Sequence, residues 1–344
     1  MENRTNIEKL GEFGLIDHLT QSLPSLSEFT EKGVGDDAAV LRNKKEHTLV
    51  STDMLIEGIH FDLMYHPLKH LGYKAVVVNL SDIYAMNAHP HQITVSIAIS
   101  NRFSVEALDE LYKGIIHACE FYGVDLVGGD TTTSMSGLVI SITAIGQADS
   151  DQIIYRNGAR PGDLIVTTGD LGGAYFGLQL LEREKQIFLE NPDIQPDLEE
   201  QDYLVGRLLK PEARKDIIEQ FRVKNIKPTS MIDISDGLAS ELFHICEQSN
   251  TGAYIEEDLL PIAQETREMG FQFKIDPTTA ALSGGEDYEL LFTIDPAEKL
   301  TLFQMPDATI IGEITKPEEG LTLHSKGGRI HPLKAQGWQH FRKK

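Results

Sequence analysis

Two stretches in the first half of the chain alternate apolar and polar residues with almost no fault: Ile93-Thr94-Val95-Ser96-Ile97-Ala98-Ile99 and Ile140-Ser141-Ile142-Thr143-Ala144. A period of two marks strands with one buried face. Between them Leu108, Leu111, Ile115, Cys119 and Tyr122 recur every three or four residues, which predicts a helix over 105–122 with Ser104 as its N-cap and Gly123 at its end. The turn cluster Arg156-Asn157-Gly158-Ala159-Arg160-Pro161-Gly162-Asp163 places a domain boundary near residue 150, giving domains 1–150 and 151–344. Beyond it strand and helix alternate, as in an α/β layer. Leu164–Thr168 leads through a Gly-rich turn to a helix over Ala174–Arg183, and Met231–Ile234 leads through Ser235-Asp236-Gly237 to a helix over Leu238–Gln248. Residues 184–201, polar, acidic and twice broken by proline, read as a surface loop or insertion without a catalytic role.

A chain of 344 residues suits two domains, and 41% hydrophobic with 24% charged residues suits an ordinary globular protein. No apolar run is long enough to cross a bilayer, and the first nineteen residues hold no unbroken apolar stretch, so no membrane and a cytoplasmic address are expected. Cys119 and Cys246 both sit in apolar helical stretches and read as buried thiols. A net charge of −22 argues against nucleic acid as a partner, because phosphate backbones need clustered Lys and Arg. If so acidic a protein handles phosphates, positive charge must be imported, and divalent cations are its simplest source.

The familiar nucleotide signatures are missing: no G-x-x-x-x-G-K-[ST], no protein-kinase H-R-D or D-F-G, no strand-linked G-x-G-x-x-G. Nor is there a Ser-His-Asp order, an activated Cys or an H-E-x-x-H helix. Acids in what read as Gly-rich turns stand out instead: Gly35-Asp36-Asp37, Ser51-Thr52-Asp53, Gly128-Gly129-Asp130-Thr131, Asp233-Ile234-Ser235-Asp236-Gly237 and Gly284-Gly285-Glu286-Asp287, with Asp82 in Asn79-Leu80-Ser81-Asp82. Each alone is what a tight turn wants. Together they border strand-like runs, where open α/β architectures carry their binding groups. Converging carboxylates need neutralising, and hard oxygen donors suit magnesium.

These blocks, with Arg156 to Asp163, Met231 to Leu238, Ser283 to Leu290 and the closing Gly337 to Phe341, resemble the thiamine-monophosphate kinase family in order and spacing over nearly the whole chain. Single blocks are shared with aminoimidazole ribonucleotide synthetase, selenophosphate synthetase and the hydrogenase maturation factor. Tyr84 and Asn87 stand where the family has Ala and Gly, and Ala213 where a Pro is common.

The resemblance implies a fold: an N-terminal α+β domain for metal, ATP and dimerisation, whose sheet pairs with a second copy into a barrel, and a C-terminal α/β domain that completes the site. It also implies a helix over 70–86, although Val76-Val77-Val78 alone would favour a strand. Its implied magnesium ligands are Asp37, Ser51, Thr52, Asp53, Asp82, Asp130, Asp233 and Asp236. Gly129, Asp130, Arg156, Ser235 and Tyr112 are the implied ATP contacts, and His60, Glu286 and Trp338 the thiamine-phosphate contacts. Asp82, Asp130 and Arg156 carry the catalysis in this picture. The expected activity is magnesium-assisted, in-line transfer from ATP to thiamine monophosphate by a homodimer. Two alternatives stay open: another ATP-using member acting on a purine precursor or selenide, and a non-catalytic nucleotide- or metal-binding dimer.

Overall fold

The computed structural model describes residues 10–32, 34 and 39–334, so Asp37 and Trp338 lie outside the described residues. The chain divides into two compact units, Met1–Ile153 and Ile154–Lys344.

In the first unit, α1 (Gly11–Thr20), β1 (Thr30–Lys32) and β2 (Val40–Leu41) precede β3 (His47–Ile56), α2 (Leu68–Ala85), β4 (His89–Ile99), α3 (Val105–Tyr122), β5 (Asp125–Thr133) and β6 (Val139–Ala148). Four strands form one sheet in the order β3-β6-β4-β5, with β3 and β5 at its edges. The helix predicted over 105–122 is α3; the side chain of Ser104 accepts from Ala107 N–H at 3.3 Å, and Gly123 ends it at φ 74°. The alternating runs are β4 and β6, whose inward residues Ile93, Val95, Ile97, Ile140 and Ile142 are buried under α2 and α3. Burial explains why Val76-Val77-Val78 are helical: fourteen of the eighteen residues of α2 are inside, so packing overrides an intrinsic strand preference. Tyr84 fills the space it opens, fully buried against Tyr122. Asn87 takes a left-handed φ of 57°, the conformation a Gly supplies most easily, and its side chain bonds to the carbonyl of Gln152.

The second unit contains β7 (Leu164–Thr168), α4 (Gly173–Glu190), α5 (Asp202–Leu209), α6 (Lys215–Lys224), β8 (Ser230–Ile234), α7 (Leu238–Ser249), β9 (Gly252–Glu256), α8 (Gln264–Phe273) and α9 (Pro277–Ser283). Then come β10 (Glu289–Ile294), α10 (Lys299–Leu302), β11 (Ala308–Thr315), β12 (Leu321–His324) and β13 (Ile330–Pro332). Seven strands order as β13-β12-β9-β11-β7-β10-β8. Although β7 and β8 belong to the expected alternation, they do not pair; β10 lies between them, antiparallel to both. The region 184–201 is corrected in its first part, because α4 continues to Glu190 with Glu184 buried. Asn191–Gln201 holds no helix or strand. Both cysteines are buried free thiols. No helix among the described residues is long and apolar enough to cross a membrane.

Candidate active site

Ser51-Thr52-Asp53 and Gly128-Gly129-Asp130 are not turns. They lie inside β3 and β5, at opposite edges of the four-stranded sheet. Alternation along β3 sends Ser51 and Asp53 to the side of buried Leu49 and Leu55, the side α2 covers. There Ser51 Oγ donates to the carboxylate of Asp82, and Asp53 N–H donates to Asn79 Oδ1 at 2.9 Å. Asn79 and Asp82, one helical turn apart, thus seat α2 against the free edge of β3. Thr52 faces the other way and accepts from Thr143 Oγ1 at 3.1 Å.

Asp130 pairs with Ser96, and Ser96 with Ser141, which lies opposite Met54. That row is on the uncovered face. Two strands separate Asp130 from the β3 acids, about 14 Å along the sheet. Gly129 is required where it stands, since a Cβ there would come 1.8 Å from the carbonyl oxygen of Val95. His60 caps the end of β3, its Nδ1 accepting from Ile56 N–H at 3.0 Å. Tyr112 is buried on α3, and burial pushes its hydroxyl up to about 12.

In the second unit Asp233 is buried near the end of β8, Ser235 is exposed in the turn that follows, and Asp236 is partly covered. Asp236 N–H donates to Glu241 Oε1 at 2.9 Å, while Glu241 Oε2 is buried without a partner among the described residues. Burial, then the charges of Asp236 and Asp233, push Glu241 up to about 8 against that hydrogen bond. Glu241 was invisible to motif reading because it looks like an ordinary first-turn helix acid. Arg156 is exposed at the other end of β8, where Met231 N–H bonds to the carbonyl of Tyr155. Arg156 and Ser235 are therefore not neighbours along this strand, four residues or about 13 Å separating Met231 from Ser235.

Glu286 is partly covered in the loop before β10, which folds onto the 235–237 turn. Its N–H donates to the carbonyl of Ser235 at 2.7 Å, and Tyr288 N–H to that of Ile234 at 2.8 Å. Gly285, Glu286 and Tyr288 all have left-handed φ, at 70°, 63° and 53°. A Cβ on Gly285 would also strike the Ser235 carbonyl at 2.5 Å.

Among the described residues no three His, Cys, Asp or Glu side chains gather closely enough to hold a metal by themselves. What the strands present is hydroxyls and carboxylates in ones and twos. Hard oxygen donors in that number fit magnesium, which takes one or two carboxylates and completes its shell with water and substrate phosphates.

Residues 35–148 match AIR synthase related protein, N-terminal domain, and residues 160–324 match AIR synthase related protein, C-terminal domain. Thiamine-monophosphate kinase from Aquifex aeolicus is 34% identical over 335 residues, spanning 97% of this chain and 99% of that protein. The crystal structure of thiamine-monophosphate kinase from Stenotrophomonas maltophilia superposes with a TM-score of 0.77 at 31% identity, covering 92% of this chain and 97% of that one. AaThiL complexed with AMPPCP and TMP superposes with a TM-score of 0.74 at 31% identity, covering 98% of this chain and 99% of the other.

Proposed function

Since the chain belongs to the thiamine-monophosphate kinase family, we propose that it transfers the terminal phosphoryl group of ATP to the phosphate of thiamine monophosphate. The observation that carries this is the near full-length likeness to proteins of that activity, one of them bound to AMPPCP and TMP.

The bond from the terminal phosphorus to ADP breaks as an acceptor phosphate oxygen forms its own bond to that phosphorus, giving thiamine diphosphate and ADP. An acceptor phosphate is already ionised near neutral pH, so no general base is needed. Alignment and charge are the obstacles. Magnesium, if bound, would supply positive charge to offset that of the phosphates. Ser51, Thr52, Asp53, Asp82, Asp130, Asp233 and Asp236, with Asp37, are the oxygen donors available to hold it. Ser51 and Asn79 fix Asp82 and the backbone of Asp53 before any ligand arrives. Gly129, Arg156, Ser235 and Tyr112 serve the ATP end, Arg156 as a fixed cation. At the other end His60, Glu286 and Trp338 serve thiamine, whose thiazolium cation suits the Glu286 carboxylate and an indole face.

Residues 1–150 also form the dimerisation domain in this proposal. The edges of β3 and β5 have no strand partner on their outer sides among the described residues, and Val50 and Met54 are 65% and 52% exposed on the uncovered face. Edges and an apolar face left open in this way invite a second copy. Closing the sheet with its twin would bring β3 of one subunit next to β5 of the other, the β3 acids on the side α2 covers and Asp130 on the uncovered side.

The test is to incubate the protein with ATP, magnesium and either thiamine monophosphate or free thiamine, and to separate the products by chromatography. Thiamine diphosphate should form from the monophosphate, with little turnover of the free alcohol, which would need deprotonating. No diphosphate would refute the activity, and comparable rates with the two acceptors would refute the base-free mechanism.

A further inference from the structure

A buried ion network in the second unit takes no part in the chemistry above, yet it is bonded to the segment that carries Glu286. At its centre is Arg207 on α5, with a side chain only 17% exposed. Nη1 donates to Glu289 Oε1 at 3.0 Å, and Nη2 to the backbone carbonyls of Asp170 at 3.0 Å and Asp287 at 3.3 Å. The Asp287 carboxylate, fully enclosed, accepts from Gly172 N–H at the start of α4, its oxygens 3.1 and 3.0 Å away. Glu289 is held from its other oxygen by Arg214 at 2.5 Å and Thr168 at 2.7 Å. Residues 287 and 289 are thus clamped on either side of Tyr288.

The clamp has something to restrain. Glu286 and Tyr288 are non-glycine residues in the left-handed region, where the backbone stays only if its surroundings dictate it. With Asp287 drawn inward, the Tyr288 hydroxyl donates to Glu286 Oε2 at 3.3 Å.

We propose that Arg207 is a positioning residue for the acceptor end of the reaction: it fixes the left-handed course of 285–288, and Tyr288 then sets the Glu286 carboxylate to receive the thiazolium. This rests on the reading that Glu286 faces thiamine. Lysine in place of Arg207 keeps the charge but lacks the planar fork that reaches Glu289 and two carbonyls together.

Amide hydrogen exchange, which needs no turnover, is measured on Arg207→Lys beside the kinetics of Arg207→Lys, Tyr288→Phe and Glu286→Gln. In Arg207→Lys the amides of Glu286 and Tyr288 should exchange about tenfold faster or more while those of β4 and β6 are unchanged. Its KM for thiamine monophosphate should rise about tenfold, as in Glu286→Gln, with KM for ATP within about twofold of wild type. Tyr288→Phe should raise the same KM about threefold without disturbing the fold. Unchanged exchange at the two amides overturns the positioning role whatever the substrate proves to be. So does a drop in kcat and melting temperature with both KM values unmoved, which is simple structural support. Should Arg207→Lys fail to fold, an unaltered KM in Tyr288→Phe overturns the link to Glu286. If the wild-type protein makes no thiamine diphosphate, the assigned activity fails separately and the exchange data still decide the anchor.

Discussion

Glu286 and Asp287 are neighbours in sequence and opposites in surroundings. One is partly open in the loop before β10, the other wholly enclosed. Burial pushes the Asp287 carboxyl up to about 7, against the pull of Arg207 and the Gly172 N–H and with the help of Glu289 and Asp170. Its ordinary value is 3.8. Between these values the unfolded chain loses the proton that the folded chain keeps, so this residue's contribution to stability is full at low pH and lost as pH rises towards neutrality. Asp287→Asn should therefore gain on the wild type as pH climbs from about 4 to about 7, by several degrees in Tm. A Tm difference independent of pH would contradict this. At the acids proposed to hold magnesium the expectation is kinetic. Asp82→Asn and Asp130→Asn should each lower turnover by about a hundredfold or more while thermal unfolding stays near wild type. Near-normal activity at limiting magnesium removes that residue from the set. Sequence pattern singles out Asp82 and Asp130 and sets Asn79 one helical turn from Asp82, but it gives neither Asn79 nor Glu241 a role of its own. Their importance lies in one hydrogen bond each to a distant or ordinary-looking backbone amide, and no local pattern records that.

At the scale of elements, periodicity was a sound guide wherever one face is buried and the other is not. The α3 helix, with its Ser104 cap and Gly123 stop, and the strands β4, β6, β7 and β8 follow directly from apolar spacing. It misled where function or full burial broke the rule. Gly128-Gly129-Asp130 carries turn residues because β5 passes unusually close to β4, a strand's need for a missing side chain rather than a bend. The α2 helix shows the converse, since burial on nearly every side erases its amphipathic signature and only the family resemblance pointed to it. Gly129→Ala measures the close approach. A methyl group 1.8 Å from a backbone oxygen cannot be accommodated without moving a strand, so stability should fall by about 3 kcal/mol, read from the denaturant midpoint. A loss below about 0.5 kcal/mol would mean that β5 is free to shift.

For the whole molecule, the turn residues 156–163 follow closely on the junction between the units at 153 and 154, whereas the proposed assembly leaves no local mark in the sequence. An uncovered sheet face rich in Thr, Ser and Val looks on paper like any half-exposed strand. If the proposed dimer closes over this face, Val50→Glu with Met54→Glu should convert it into a monomer in sedimentation velocity and abolish turnover together with it. A double variant that stays dimeric and active would place the interface elsewhere. The separation of Asp130 from Asp53 across the sheet carries a further consequence, one for genetics. If each reaction centre draws these two acids from different subunits, an Asp53→Asn allele and an Asp130→Asn allele, each dead alone, should complement one another. Random pairing makes about half the dimers mixed, and each mixed dimer holds one centre with both acids and one with neither, so co-expression should restore about a quarter of wild-type activity. Two null alleles of one gene would then support growth on a medium that neither supports alone.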